Sequence, residues 1–105
     1  MNPEAIEHLM KQGRDGYPAR LAAGQARLKA GDYEQAAEHF RQALAFDDSQ
    51  SLAWQGLGET CRALDDDEGA RAAWQRGIEV AAKNGDKQAE KVMTVWLKRL
   101  ARELK

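Results

Sequence analysis

The chain matches itself at an offset of 34 residues, where Ala19, Gly24, Asp32, Glu34 and Ala36 fall on Ala53, Gly58, Asp66, Glu68 and Ala70. Size class repeats as well as identity, since Phe40 meets Trp74, Ala43 meets Gly77 and Leu44 meets Ile78. A period of roughly 20–50 residues is the signature of stacked units, none of which can bury its apolar faces alone. Stacking of like units is therefore required.

Composition decides what kind of unit is stacked. In 105 residues there are 19 Ala and 10 Leu, but Val, Ile and Thr together number only seven, so the side chains that fill sheets are scarce. The reading is an all-α fold with one domain's worth of chain. Each unit reads as two antiparallel helices joined by a tight turn. In the first, Leu21, Ala22, Gly24, Ala26 and Leu28 follow helical spacing, Ala30-Gly31-Asp32 supplies a stop and a new start, and Ala36, Ala37, Phe40, Ala43, Leu44 and Phe46 form the next stripe. In the second, Ser49 is the expected N-cap of a helix carrying Leu52, Ala53, Trp54, Leu57, Gly58, Cys61 and Leu64. Asp65-Asp66-Asp67-Glu68 makes the turn and the acidic first turn of its partner, which carries Ala70, Ala73, Trp74, Gly77, Ile78 and Ala81. Gly24, Gly58, Ala36 and Ala70 let backbones approach, while Trp54, Leu57, Phe40 and Trp74 fill the space between units.

These residues resemble the tetratricopeptide repeat, a 34-residue helix-turn-helix unit with the pattern W-x2-L-G-x2-Y, then A-x3-F-x2-A. Trp54, Leu57, Gly58, Cys61, Ala70, Trp74 and Gly77 take those places in the second unit. In the first, Ala23, Gly24, Ala36, Phe40 and Ala43 fit, but Arg20 and Arg27 stand where Trp and Tyr are expected, and neither unit ends in Pro. The resemblance implies an α-solenoid of about six helices: residues 1–16 a remnant helix and turn, 17–50 and 51–84 the two units, 85–105 a capping helix. In the remnant, Asn2 caps, Pro3 opens the first turn, and Ile6, Leu9 and Met10 share a face. In the cap, Ala89, Val92, Met93, Trp96, Leu97, Leu100 and Leu104 form a broad apolar face, with Glu90, Lys91, Lys98, Arg99 and Arg102 opposite.

Several chemistries find no foothold. There is no phosphate-cradling Gly-rich loop and no His pair at metal spacing, so neither a cofactor nor an enzymatic activity is expected. His8 and His39 read as surface helix residues, and Cys61, at a packing place, as an inert core thiol. Asp65-Asp66-Asp67-Glu68 lacks the spacing of a calcium loop. Net charge is −1, with ten acids against two bases in residues 31–70 and six bases against three acids in 85–105. Nucleic acid and membrane surfaces are not expected partners, and the basic end reads as a solvated face. One cysteine and an N-terminus without an apolar run suggest the cytoplasm.

In proteins that this chain resembles, the first helix of each unit lines a groove that receives a peptide segment of a partner. The resemblance thus implies a protein-protein interaction module, adaptor or chaperone-like. Subtracting packing positions leaves Leu21, Gln25, Leu28 and Lys29, then Leu52, Gln55, Glu59 and Arg62, with Met93 or Trp96 closing the far end. The leucines would anchor, Gln25 and Gln55 would bond a peptide backbone, and Glu59 with Arg62 would read charge or pair with each other. Some family members clamp acidic C-terminal tails with Lys, Asn and Arg; Leu21, Gln25 and Gly56 occupy clamp places here, so that function is not carried over. The alternative is a structural homodimer or complex subunit, associating through Trp96 and Leu97 or through Ile6, Leu9 and Met10.

Overall fold

The computed structural model describes residues 2–104, and among these every regular element is helical. Six helices run in order: α1 (Pro3–Lys11), α2 (Tyr17–Ala30), α3 (Tyr33–Phe46), α4 (Ser51–Ala63), α5 (Asp67–Asn84) and α6 (Lys87–Glu103). Each of α2 to α5 packs on the next, and α2 also touches α4, which touches α6. The result is two layers, α2, α4 and α6 against α3 and α5, with α1 lying on α2. The body measures 45 × 29 × 20 Å.

One turn geometry is used four times. Within two residues of the end of α1, α2, α4 and α5 the chain takes a positive φ: Gly13 (90°), Gly31 (82°), Asp65 (60°) and Gly85 (72°). The next N–H then reaches back into the helix just ended: Arg14 to the Leu9 carbonyl, Asp32 to Arg27, Asp66 to Cys61 and Asp86 to Ala81, at 2.8–3.1 Å. This left-handed stop satisfies carbonyls that a helix end otherwise leaves bare. Asp66 and Asp86 cap the following helices by accepting from Gly69 N and Ala89 N. The acidic run after α4 is thus helix-start chemistry: Asp65 turns, Asp66 caps and Asp67 pairs with Arg62 at 2.9 Å. Asn2 caps α1, accepting from Ala5 N at 2.8 Å, with Pro3 in the first turn.

Ser49 does not cap α4. Its hydroxyl donates to Asp47 Oδ1 at 2.5 Å, and Gln50 occupies the cap position without a side-chain bond. The nearby Asp47 carboxylate, which also takes the Ser49 N–H, captures the serine before it can reach the helix.

The small residues mark close approaches. Phe40 of α3 is fully buried between α2 and α4: a Cβ on Gly24 would meet its ring at 2.8 Å, and one on Gly56 at 2.4 Å. Trp74 of α5 lies across Gly58, where a Cβ would fall within 2.6 Å of three indole atoms. Ala36 and Ala70 are fully buried. Cys61 is core, and burial pushes its thiol above the ordinary value, helped by the nearby Asp66 carboxylate.

The two arginines at aromatic places are the structure's departure from the repeat. Arg27 is buried; it donates from Nε and Nη2 to the two oxygens of Glu7 at 3.1 and 2.5 Å, and from Nη1 to Asp32 at 2.8 Å. Arg20 donates to both oxygens of Asp15 at 2.9 Å. Between them lies His39, which is buried rather than on the surface. Arg20 Nη1 stands 3.2 Å from His39 Nδ1, and arginine only donates, so Nδ1 accepts and Nε2–H donates to Glu7 Oε2 at 2.5 Å. His39 is hidden because Glu7, on α1 and 32 residues away in sequence, reaches over it. Arg27, with a smaller contribution from His39, holds the Glu7 carboxyl down at about 2. Helix α1 is therefore held by a polar lock, supplemented by buried Ile6.

Candidate peptide-binding groove

An open groove of about 420 Å³ crosses the α2, α4 and α6 layer toward the C-terminal ends of α4 and α6. Leu28 of α2 and Trp96 of α6 line it, with buried Trp74 and Leu100 beneath. The Trp74 and Trp96 rings lean together with centroids 5.5 Å apart and planes tilted by 50°. This is a favourable aromatic arrangement that fixes the floor. Its charged lining is Glu59, Arg62, Arg99 and Glu103.

Those four charges are not equivalent. Arg62 is tied to Asp67 at the start of α5 and to Glu103 at the end of α6, and so closes one end of the groove. It does not pair with Glu59, the partner that the sequence offered it. Glu59 is partly buried and has no hydrogen-bond or ion-pair partner among the described residues. Burial raises its carboxyl above the ordinary value. Arg99 is exposed at the rim.

Of the groove residues expected from sequence, Leu28, Glu59, Arg62 and Trp96 line this one cavity. Leu52 and Gln55 lie elsewhere, in a separate depression of about 220 Å³ formed with Asp86, Gln88, Ala89 and Val92. Leu21 is partly buried and packs on the core, while Gln25 and Lys29 are exposed on α2 outside both cavities. Met93 is fully buried, its sulfur 2.5 Å from where a Cβ on Gly77 would stand, so it belongs to the core and not to the groove.

Trp74, Arg99, Leu100 and Glu103 were not expected in the groove. Trp96, Arg99, Leu100 and Glu103 sit at i, i+3, i+4 and i+7, one face of a helix, so the pattern was present in the sequence. Fixing α6's rotation needed knowledge of what it packs on.

Comparison with known proteins places this architecture. The family model described as tetratricopeptide repeat matches residues 27–94. The TPR repeat-containing protein PA0015 of Pseudomonas aeruginosa is 43% identical over 99 residues, covering 94% of each chain. The solution structure of protein BPP2914 from Bordetella parapertussis superposes with a TM-score of 0.84 at 39% identity, covering 96% of this chain and 88% of that one. Two helix pairs with a 34-residue period, aromatic side chains lying over glycines and the match across residues 27–94 have one meaning: this chain belongs to the tetratricopeptide repeat family.

Proposed function

We propose that the protein is a non-enzymatic adaptor or chaperone-like module that binds a peptide segment of a partner in the groove between α2, α4 and α6. Tetratricopeptide repeats generally mediate protein-protein interaction, and this groove gives such an interaction something to hold. The observation that carries this reading is an open cavity between Leu28 and Trp96, floored by the buried apolar side chains Trp74 and Leu100. A cavity of about 420 Å³ lies within the size range of clefts that hold small ligands, about 300–1,000 Å³. An affinity of roughly micromolar order suits so small an interface.

No helix among the described residues is long and apolar enough to cross a membrane. Ile6 is buried within the chain, which removes one anchor that a dimer through α1 would need.

The test is quantitative capture from lysate with the wild-type chain and with a Leu28→Glu variant whose helicity is unchanged. A protein enriched by wild type and lost with the variant is the expected result. Identical profiles from both would remove the groove from the account.

A further inference from the structure

We infer that the groove recognises a lysine or arginine side chain of the partner segment, seated with its stem on Trp96 and its cation against Glu59. This deepens the peptide-binding reading and rests on it. The argument is one of unequal needs among the four charges in the lining. Arg62 and Glu103 answer each other, and Arg62 takes Asp67 as well. Arg99 has no carboxylate partner among the described residues, but it is exposed, so water serves its donors at little cost. Glu59 is the charge left in need, partly stripped of water beside Trp74 and Trp96 and with no donor among the described residues bonded to it.

A ligand that brings a cation to Glu59 supplies the charge-assisted bond the chain itself withholds. A ligand that brings an anion gains little from solvated Arg99 and meets Glu59 and Glu103 as like charges. The neighbouring surfaces suit the rest of a basic side chain. Its methylenes can lie along Leu28 and Trp96, and its cation can favour the indole face as well as the carboxylate. An apolar residue next to it in the partner would cover the rest of the floor.

The experiment pans a random dodecapeptide phage library on the wild-type protein, then measures enriched peptides by fluorescence anisotropy. Sequences carrying Lys or Arg at a fixed offset from a large apolar residue are expected. Replacing that basic residue by norleucine should weaken binding about tenfold on wild type. On Glu59→Gln the same replacement should change affinity less than about twofold. An enriched set without a basic residue, or one whose norleucine penalty is the same on Glu59→Gln, overturns the inference. If those peptides are still lost on Leu28→Glu, the groove survives and only the cation falls. If Leu28→Glu binds them unchanged, or no sequence enriches, both readings fall.

Discussion

Replacing Gly56 by alanine tests whether the junction between the two helix pairs is as tight as it looks. In a helix interior the substitution alone should stabilise by about 1 kcal/mol through backbone entropy. Here the new Cβ would stand 2.4 Å from Phe40 Cζ, 2.5 Å from Cε1 and 3.0 Å from Cε2. Carbon atoms rest at about 3.5–4.0 Å, so the ring would have to move by about 1 Å or more. It has nowhere to go, because on its other side a Cβ at Gly24 would already meet it at 2.8 Å. Overpacking of this kind costs about 1–3 kcal/mol, and a ring pinned on two sides belongs at the upper end. The expected net loss is about 2 kcal/mol, a fall in Tm of roughly 10 °C for a chain of this size. Urea and thermal unfolding followed by circular dichroism would measure it. The partner experiment is Phe40→Leu, which removes the atoms in the way at an expected cost of about 1–2 kcal/mol. In that background Gly56→Ala should be close to neutral, giving a coupling of about 2 kcal/mol between the sites. A Gly56→Ala protein at least as stable as wild type, or two effects that simply add, would refute the reasoning.

Other outcomes follow from the turns and the unequal charges. Asp65 holds a positive φ where the other three turns use glycine, so Asp65→Gly should stabilise by about 0.5–1 kcal/mol in urea unfolding. Glu7 has a folded pKa of about 2, below its ordinary 4.5, so its contribution is complete above pH 4.5 and fades as pH falls toward 2. Glu7→Gln should cost about 1–2 kcal/mol at pH 7, flatten the acid limb of the stability curve, and speed amide exchange in α1. Glu59 is shifted the other way, upward by burial, so its ionised form opposes folding above that raised value and contributes nothing below the ordinary one. Glu59→Gln should therefore raise Tm at pH 7 and leave it unchanged at pH 3.

The fold was legible because the offset of 34 records packing places, and packing is what builds a solenoid. Gly24 and Gly58 lie under Phe40 and Trp74 as size-class pairing implies. The groove was half legible. Leu28, Glu59 and Arg62 sit on α2 and α4, whose registers the repeat determines; α6 stands outside the repeat, and Met93, Trp96 and Leu100 are equally apolar on paper. What turns Met93 inward is Gly77, whose missing side chain makes room for the sulfur. The polar lock was hidden for a different reason. His39 looks like a surface residue in its own helix, and Glu7 lies on a helix the period does not govern. A signal did exist in Arg20 and Arg27, two cations at aromatic places on one helix, each of which needs a carboxylate once buried.

The three indoles are distributed in a way that gives the molecule a built-in witness to its own cooperativity. Trp54, Trp74 and Trp96 lie on α4, α5 and α6, while α2 and α3 carry the two tyrosines and α1, α2 and α3 no tryptophan. Emission excited where tyrosine does not absorb therefore sees only the later half of the stack, whereas the far-ultraviolet amide signal sees all six helices. If the units melt together, the two curves coincide. If the end held by Glu7 and Arg27 opens first, ellipticity falls while the fluorescence still reports a native environment, and the gap between the curves measures how strongly each unit depends on its neighbour.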